Sequence, residues 1–154
     1  MLATSSQLSV PTLPTITGSQ NLNVVGNDIS MFAVYVHAAL LGGSFLVLFP
    51  LGVVILRLTS VRMHQIVQLV TLTLCLIGLI FAVIMSARSA LFASFNWAHQ
   101  LMGLVAVLAL ALQACLGYIN HRAFTLTGKP TPARWLHLGL GRILLPFGML
   151  TGAV

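Results

Sequence analysis

Four stretches of this chain are nearly free of polar side chains, and each is about as long as a bilayer is thick. They run from Met31 to Leu56, Ile66 to Ser86, Trp97 to Tyr118, and Trp135 to Val154. A helix needs about 20 residues to cross the hydrocarbon core. Only 5% of the residues are charged and 58% are hydrophobic, where a soluble domain carries roughly a quarter charged residues. The mean hydropathy is +1.05. The sequence therefore predicts an all-α integral membrane protein with the lipid bilayer as its main partner. The connections, "RLTSVRM", "ARSALFASFN" and "NHRAFTLTGKPTPAR", are short enough to make successive helices antiparallel neighbours. The expected architecture is an up-down-up-down four-helix transmembrane bundle over residues 31–154. Pro50 and Pro146 lie inside the first and fourth runs, where each removes a backbone donor and bends its helix.

Residues 1–30 are rich in Ser, Thr, Asn and Pro, with neither the basic nor the apolar region of a signal peptide. They are expected to form a polar flexible tail, with "NDIS" capping the first helix and Asp28 near the positive end of its dipole. The fourth run reaches Val154 with no polar segment behind it, so the chain is expected to be part of a longer parent.

The net charge of +6 would suggest nucleic acid in a soluble protein. Here the basic residues sit in short connections and report topology instead. Arg57 and Arg62 lie between runs one and two, and Arg122, Lys129 and Arg134 between three and four; the other side has Arg88, with Asp28 before run one. The positive-inside rule puts the first and third connections in the cytoplasm and the N-terminus outside or in a lumen. No nucleic acid partner is expected. Cys75 and Cys115 both fall mid-run and read as small packing residues.

The histidines carry the chemistry. His37, His64, His99 and His137 stand one per apolar run, each near its start. Because the helices alternate in direction, His37 and His99 share one depth and His64 and His137 the other. At about 1.5 Å per residue, most of the core separates the two levels. His37 with His99, and His64 with His137, are thus diagonal pairs at matching depths. Two facing imidazoles are what a six-coordinate haem iron needs, so the arrangement would hold two haems, one near each membrane face. Small residues share the histidine faces: Gly103, Ala106 and Gly117 (with Gln113 among them) with His99, Gly141 and Gly148 with His137, and Cys75 and Gly78 with His64. They leave room for a porphyrin edge or for close helix packing. Arg142, five residues after His137, is costly at membrane depth, and a haem propionate would neutralise it. His121 reads as an interfacial residue beside Asn120 and Arg122.

Four segments also carry a resemblance to a known family: "VHAALLGGSFLVLFPLGVVILRL" around His37, "RMHQIVQLV" around His64, "HQLMGLVAVLALALQACLGYINHR" from His99, and "RWLHLGLGRILL" around His137. Residues 31–154 resemble the cytochrome b561 family, especially the membrane half of proteins joining a DOMON domain to a b561 core. Members usually have five or six helices; four runs are present here. The resemblance implies a transmembrane electron carrier with two b-type haems, passing electrons from a cytoplasmic reductant such as ascorbate to monodehydroascorbate or ferric iron outside. It implies His37 and His99 as axial ligands of the outer haem, and His64 and His137 of the cytoplasmic one. The small-molecule partners would be that donor and acceptor; a homodimer is left open. If the chain is an enzyme, it is one as a transmembrane reductase.

The competing reading is a haem-free membrane scaffold, or a small transporter with histidines lining a proton or metal path. It lacks the intramembrane carboxylates that proton relays recruit. With Asp28 the single acidic residue, carboxylate-pair catalysis, a Ser/His/Asp set and most hard-metal sites are excluded.

Overall fold

The computed structural model describes residues 18–88 and 97–153, with side chains from residue 31 onward. It contains helices and turns and no strand among those residues. The first rod joins α1 (Gly18–Gly43), a π-helical turn (Ser44–Leu48) and α2 (Phe49–Leu58). Then follow α3 (Val61–Arg88), α4 (Ala98–Thr127) and α5 (Pro132–Thr151).

The π turn follows from Pro50. Its ring clashes with the carbonyl four residues back and supplies no N–H, so the hydrogen-bond ladder widens just before it. Phe49 N–H accordingly donates to the Ser44 carbonyl, five residues back. The rod stays helical through the irregularity, with Gly43, Leu48 and Phe49 all in the right-handed region.

Helix ends differ from the hydropathy boundaries. α1 starts at Gly18 rather than near Met31, so Asp28 lies inside the helix instead of capping it. Once the apolar part has nucleated, adding polar turns costs little, and no proline intervenes after Pro14. Residues 1–17 of the expected tail, and 89–96 of the second connection, lie outside the described residues. The first connection is only Thr59 and Ser60: Thr59 N–H donates to Ile55 O (2.8 Å), and Ser60 Oγ accepts from Met63 N–H (3.3 Å) to cap α3. The third connection is shorter than expected because Asn120–Thr127 is helical. α4 stops at Gly128, whose φ of 65° is the left-handed conformation that favours glycine. Pro132 opens α5, where a missing N–H does no harm.

Three helices are long and apolar enough to cross a membrane: Met31–Leu58, Val61–Arg88 and Ala98–Thr127. α5 falls short of the four spans expected. It has 20 residues, and Arg134, His137, Arg142 and Pro146 lower its apolarity. It still completes the bundle. The first rod packs on α3, α3 on α4, α4 on α5, and α5 back on the π turn. The first rod and α4 are therefore diagonal, as are α3 and α5.

One buried layer crosses the centre: Phe45 from the π turn, Cys75 from α3, Ala106 and Leu110 from α4, and Leu144 from α5. Outside, Phe32, Tyr35, Leu46, Leu69, Leu108 and Leu136 are among many exposed large apolar side chains, while Ser44, Thr71, Ser86 and Thr151 are buried. This is the reverse of a water-soluble domain, and it suits a chain whose exterior meets hydrocarbon. The Phe45 ring occupies the space that a Cβ on Gly148 would take. Gly148→Leu is therefore expected to force the two helices apart and cost about 1–3 kcal/mol, read as a lower unfolding midpoint in detergent, while Gly139→Leu, where a Cβ meets nothing within 4 Å, leaves the midpoint unchanged.

Candidate cofactor site

Each of the four one-per-helix histidines makes the same kind of bond. His37 Nδ1 lies 3.0 Å from the Gly78 carbonyl, and His64 Nδ1 lies 2.7 Å from that of Gly52. His99 Nδ1 lies 2.8 Å from the Thr151 carbonyl, and His137 Nδ1 lies 3.0 Å from that of Gln113. A backbone carbonyl only accepts, so each Nδ1 carries the proton and donates it. Each Nε2 is then left with its lone pair free to bind a metal. Metal-binding histidines are oriented by such a bond, which fixes tautomer and ring angle.

The bonds are reciprocal within each hairpin. The first rod and α3 exchange two, as do α4 and α5. The acceptor follows the helix's own histidine at a constant distance: Gly78 is 14 residues after His64, Gln113 is 14 after His99, and Thr151 is 14 after His137. Gly52 is 15 after His37, because the π turn inserts one extra residue into that rod. Fourteen residues are nearly four full turns, which keeps histidine and acceptor on one face about 21 Å apart. The chain thus holds two imidazole levels, one toward each end of the bundle, with the Phe45 layer between them.

At one level the pair meets. The His37 and His99 rings, on diagonal helices, have centroids 6.0 Å apart and planes at 73°. An iron held by both Nε2 atoms at about 2 Å, the usual metal–imidazole distance, puts ring centres roughly 6 Å apart. Two imidazoles at this spacing are the donor set that two axial positions of one haem iron would require. At the other level no ring contact joins His64 and His137 among the described residues. Each is held to the other helix of its hairpin by its carbonyl bond, with Gln113 adding a second link by donating from Nε2 to the His137 carbonyl at 2.7 Å. Gln113 Oε1 is buried without a partner. All four histidines are half-buried.

Glycines shape the second level. A Cβ on Gly117 would stand 2.9 Å from His137 Cε1, so the imidazole packs closely against α4 at this glycine. Gly117→Val is expected to push that ring off the Gln113 carbonyl. In histidine-labelled protein the Nδ1–H resonance of His137 should be lost, while those of His37, His64 and His99 persist.

Arg142 is not brought to the histidines. It is exposed and lies about 140° round α5 from His137, so the propionate role expected for it gains no support from its position. His121 lies on α4, half-buried, rather than in a loop. No group of three or more His, Cys, Asp or Glu able to hold a metal forms among the described residues. That leaves pairs of imidazoles, which complete a coordination sphere only when another molecule supplies the remaining ligands. Sequence reasoning missed the carbonyl acceptors Gly52, Gly78, Gln113 and Thr151. Their one signal was the repeated spacing from each histidine.

No curated protein and no solved structure matches the chain. A family match covers residues 20–123, about two thirds of the chain, and takes in the first two spanning helices and most of the third, with His37, His64 and His99. The chain therefore belongs to the family described as "Domain of unknown function (DUF2427)".

Proposed function

We propose that this chain carries electrons across a membrane through two bis-histidine haems, in the manner of the cytochrome b561 family that its sequence resembles. The observation that carries the reading is the His37–His99 pair. Two imidazoles from diagonal helices approach each other with both Nδ1 protons committed to carbonyls, at a separation suited to one iron between them. His64 and His137 form the second pair in this reading, held in the same tautomer at the other level.

Bound haem supplies one-electron redox chemistry. The chain's own work is to bind, orient and insulate. The carbonyls of Gly78, Thr151, Gly52 and Gln113 hold the imidazoles and raise their basicity. The apolar exterior and the buried Phe45 layer keep water from the space between the levels. No side chain is asked to move a proton. By the positive-inside rule the His64–His137 level faces the cytoplasm and takes electrons from an ascorbate-like donor, and the His37–His99 level passes them to monodehydroascorbate or ferric iron.

The test uses vesicles containing the full chain, with ferricyanide trapped inside and ascorbate added outside. Ferricyanide should be consumed at a rate proportional to protein, and His99→Ala should reduce that rate to the protein-free background. Haem-loaded vesicles that pass no electrons would reject the reading.

A further inference from the structure

The α4–α5 seam carries a feature that the histidines do not use. Leu112 and Leu116 of α4, with Trp135, Gly139, Leu140 and Ile143 of α5, line an apolar groove of about 410 Å³. That is within the range of roughly 300–1,000 Å³ typical of small-molecule sites. It lies on the outside of the bundle: Leu112, Trp135 and Ile143 are 54%, 70% and 65% exposed. Its floor is open at Gly139, where a Cβ would meet nothing within 4 Å. From Trp135 to Ile143 the groove follows about 12 Å of helix.

Its rim is cationic. The Arg134 guanidinium stands 5.8 Å from the Trp135 ring centroid, a cation–π distance that holds it at the mouth. Arg142 comes seven residues after Trp135, within about 20° of the same face. It is exposed, and an arginine side chain on a helix is long enough to extend about a turn toward the N-terminal end. Nothing acidic answers them. Asp28 is the chain's one carboxylate side chain, and it lies on α1 beyond the His37 level, toward the opposite end of the bundle.

We propose that this seam binds an anionic phospholipid, with one acyl chain along the groove and its phosphate between Arg134 and Arg142. The charge selects this occupant. A second copy of the chain would bring two more guanidinium groups to a surface without acids, and a neutral lipid would leave both arginines without a net counter-charge. A basic pocket beside membrane helices is a recurring way to hold an anionic headgroup. The site does not depend on haem.

The test is native mass spectrometry of the full chain in detergent, titrated with phosphatidylglycerol or with phosphatidylcholine of the same acyl chains. Phosphatidylglycerol should form a one-to-one adduct in preference to phosphatidylcholine. Arg134→Gln and Arg142→Gln should each weaken it by about fivefold. Gly139→Leu, whose Cβ meets nothing within 4 Å and whose side chain would occupy the groove, should abolish the adduct with helix content by circular dichroism unchanged. Equal binding of the two lipids, unaltered phosphatidylglycerol binding by Gly139→Leu, or cysteine cross-links showing two copies packed along the seam would each overturn the proposal.

Discussion

Replacing His99 by alanine is expected to halve the haem bound by the purified chain under the proposed function. His99 faces His37 across the bundle at 6.0 Å, and removing it leaves one imidazole where a six-coordinate iron needs two. The other level lies about 21 Å along the helices, with its own carbonyl bonds, and should keep its haem. The fold should survive. Thr151 O belongs to the last turn of α5, where carbonyls without helix partners are satisfied by water or local turns, so the lost bond costs only about 1 kcal/mol. Haem content by the pyridine haemochrome assay should fall to one half, with helix content unchanged. His121→Ala, on the same helix but outside both pairs, should leave haem content as it was.

The larger effect is expected from one substitution in each pair. His64→Ala with His99→Ala should give a folded, colourless protein that passes no electrons between vesicle faces. His37→Ala with His99→Ala also removes two imidazoles, but both come from the same level, and half the haem should remain. The comparison separates the pairing by depth from any pairing by sequence order. If His37 shared a haem with His64, the His64/His99 and His37/His99 double variants would be equally depleted. Haem content of the two double variants, measured side by side, settles it.

Much of this could be read from the residues because lipid imposes simple rules. An apolar run of bilayer length must be a helix, and four of them with short connections must alternate in direction. From that alone His37 falls level with His99, and the structure brings those two rings together. The helix ends were not legible in the same way. Hydropathy marks where the membrane stops, whereas a helix stops where its backbone is turned aside, as at Gly128. Hence α4 runs through the polar residues Asn120–Thr127, and α1 begins at Gly18. α5 shows the converse. It is a helix of the bundle, yet its arginines and proline leave it less apolar than its run of leucines suggested.

The orienting bonds were hidden for another reason. Their acceptors are backbone carbonyls, and a carbonyl has no residue type to recognise. Gly52 and Gly78 read as small packing positions, and Thr151 as part of a terminal run. Only the recurrence of 14 residues in three helices, and 15 in the helix interrupted by the π turn, ties each acceptor to its histidine. Arg142 was read from its depth alone. Its face, about 140° from His137, turns it away from that imidazole and leaves it exposed.

The most direct measurement is a reduced-minus-oxidised absorption spectrum of the purified full chain, with iron and haem counted per polypeptide. Two haems per chain, with the sharp reduced bands of six-coordinate b-type iron, are predicted. A folded protein that stays colourless after expression and reconstitution with haem would contradict the account.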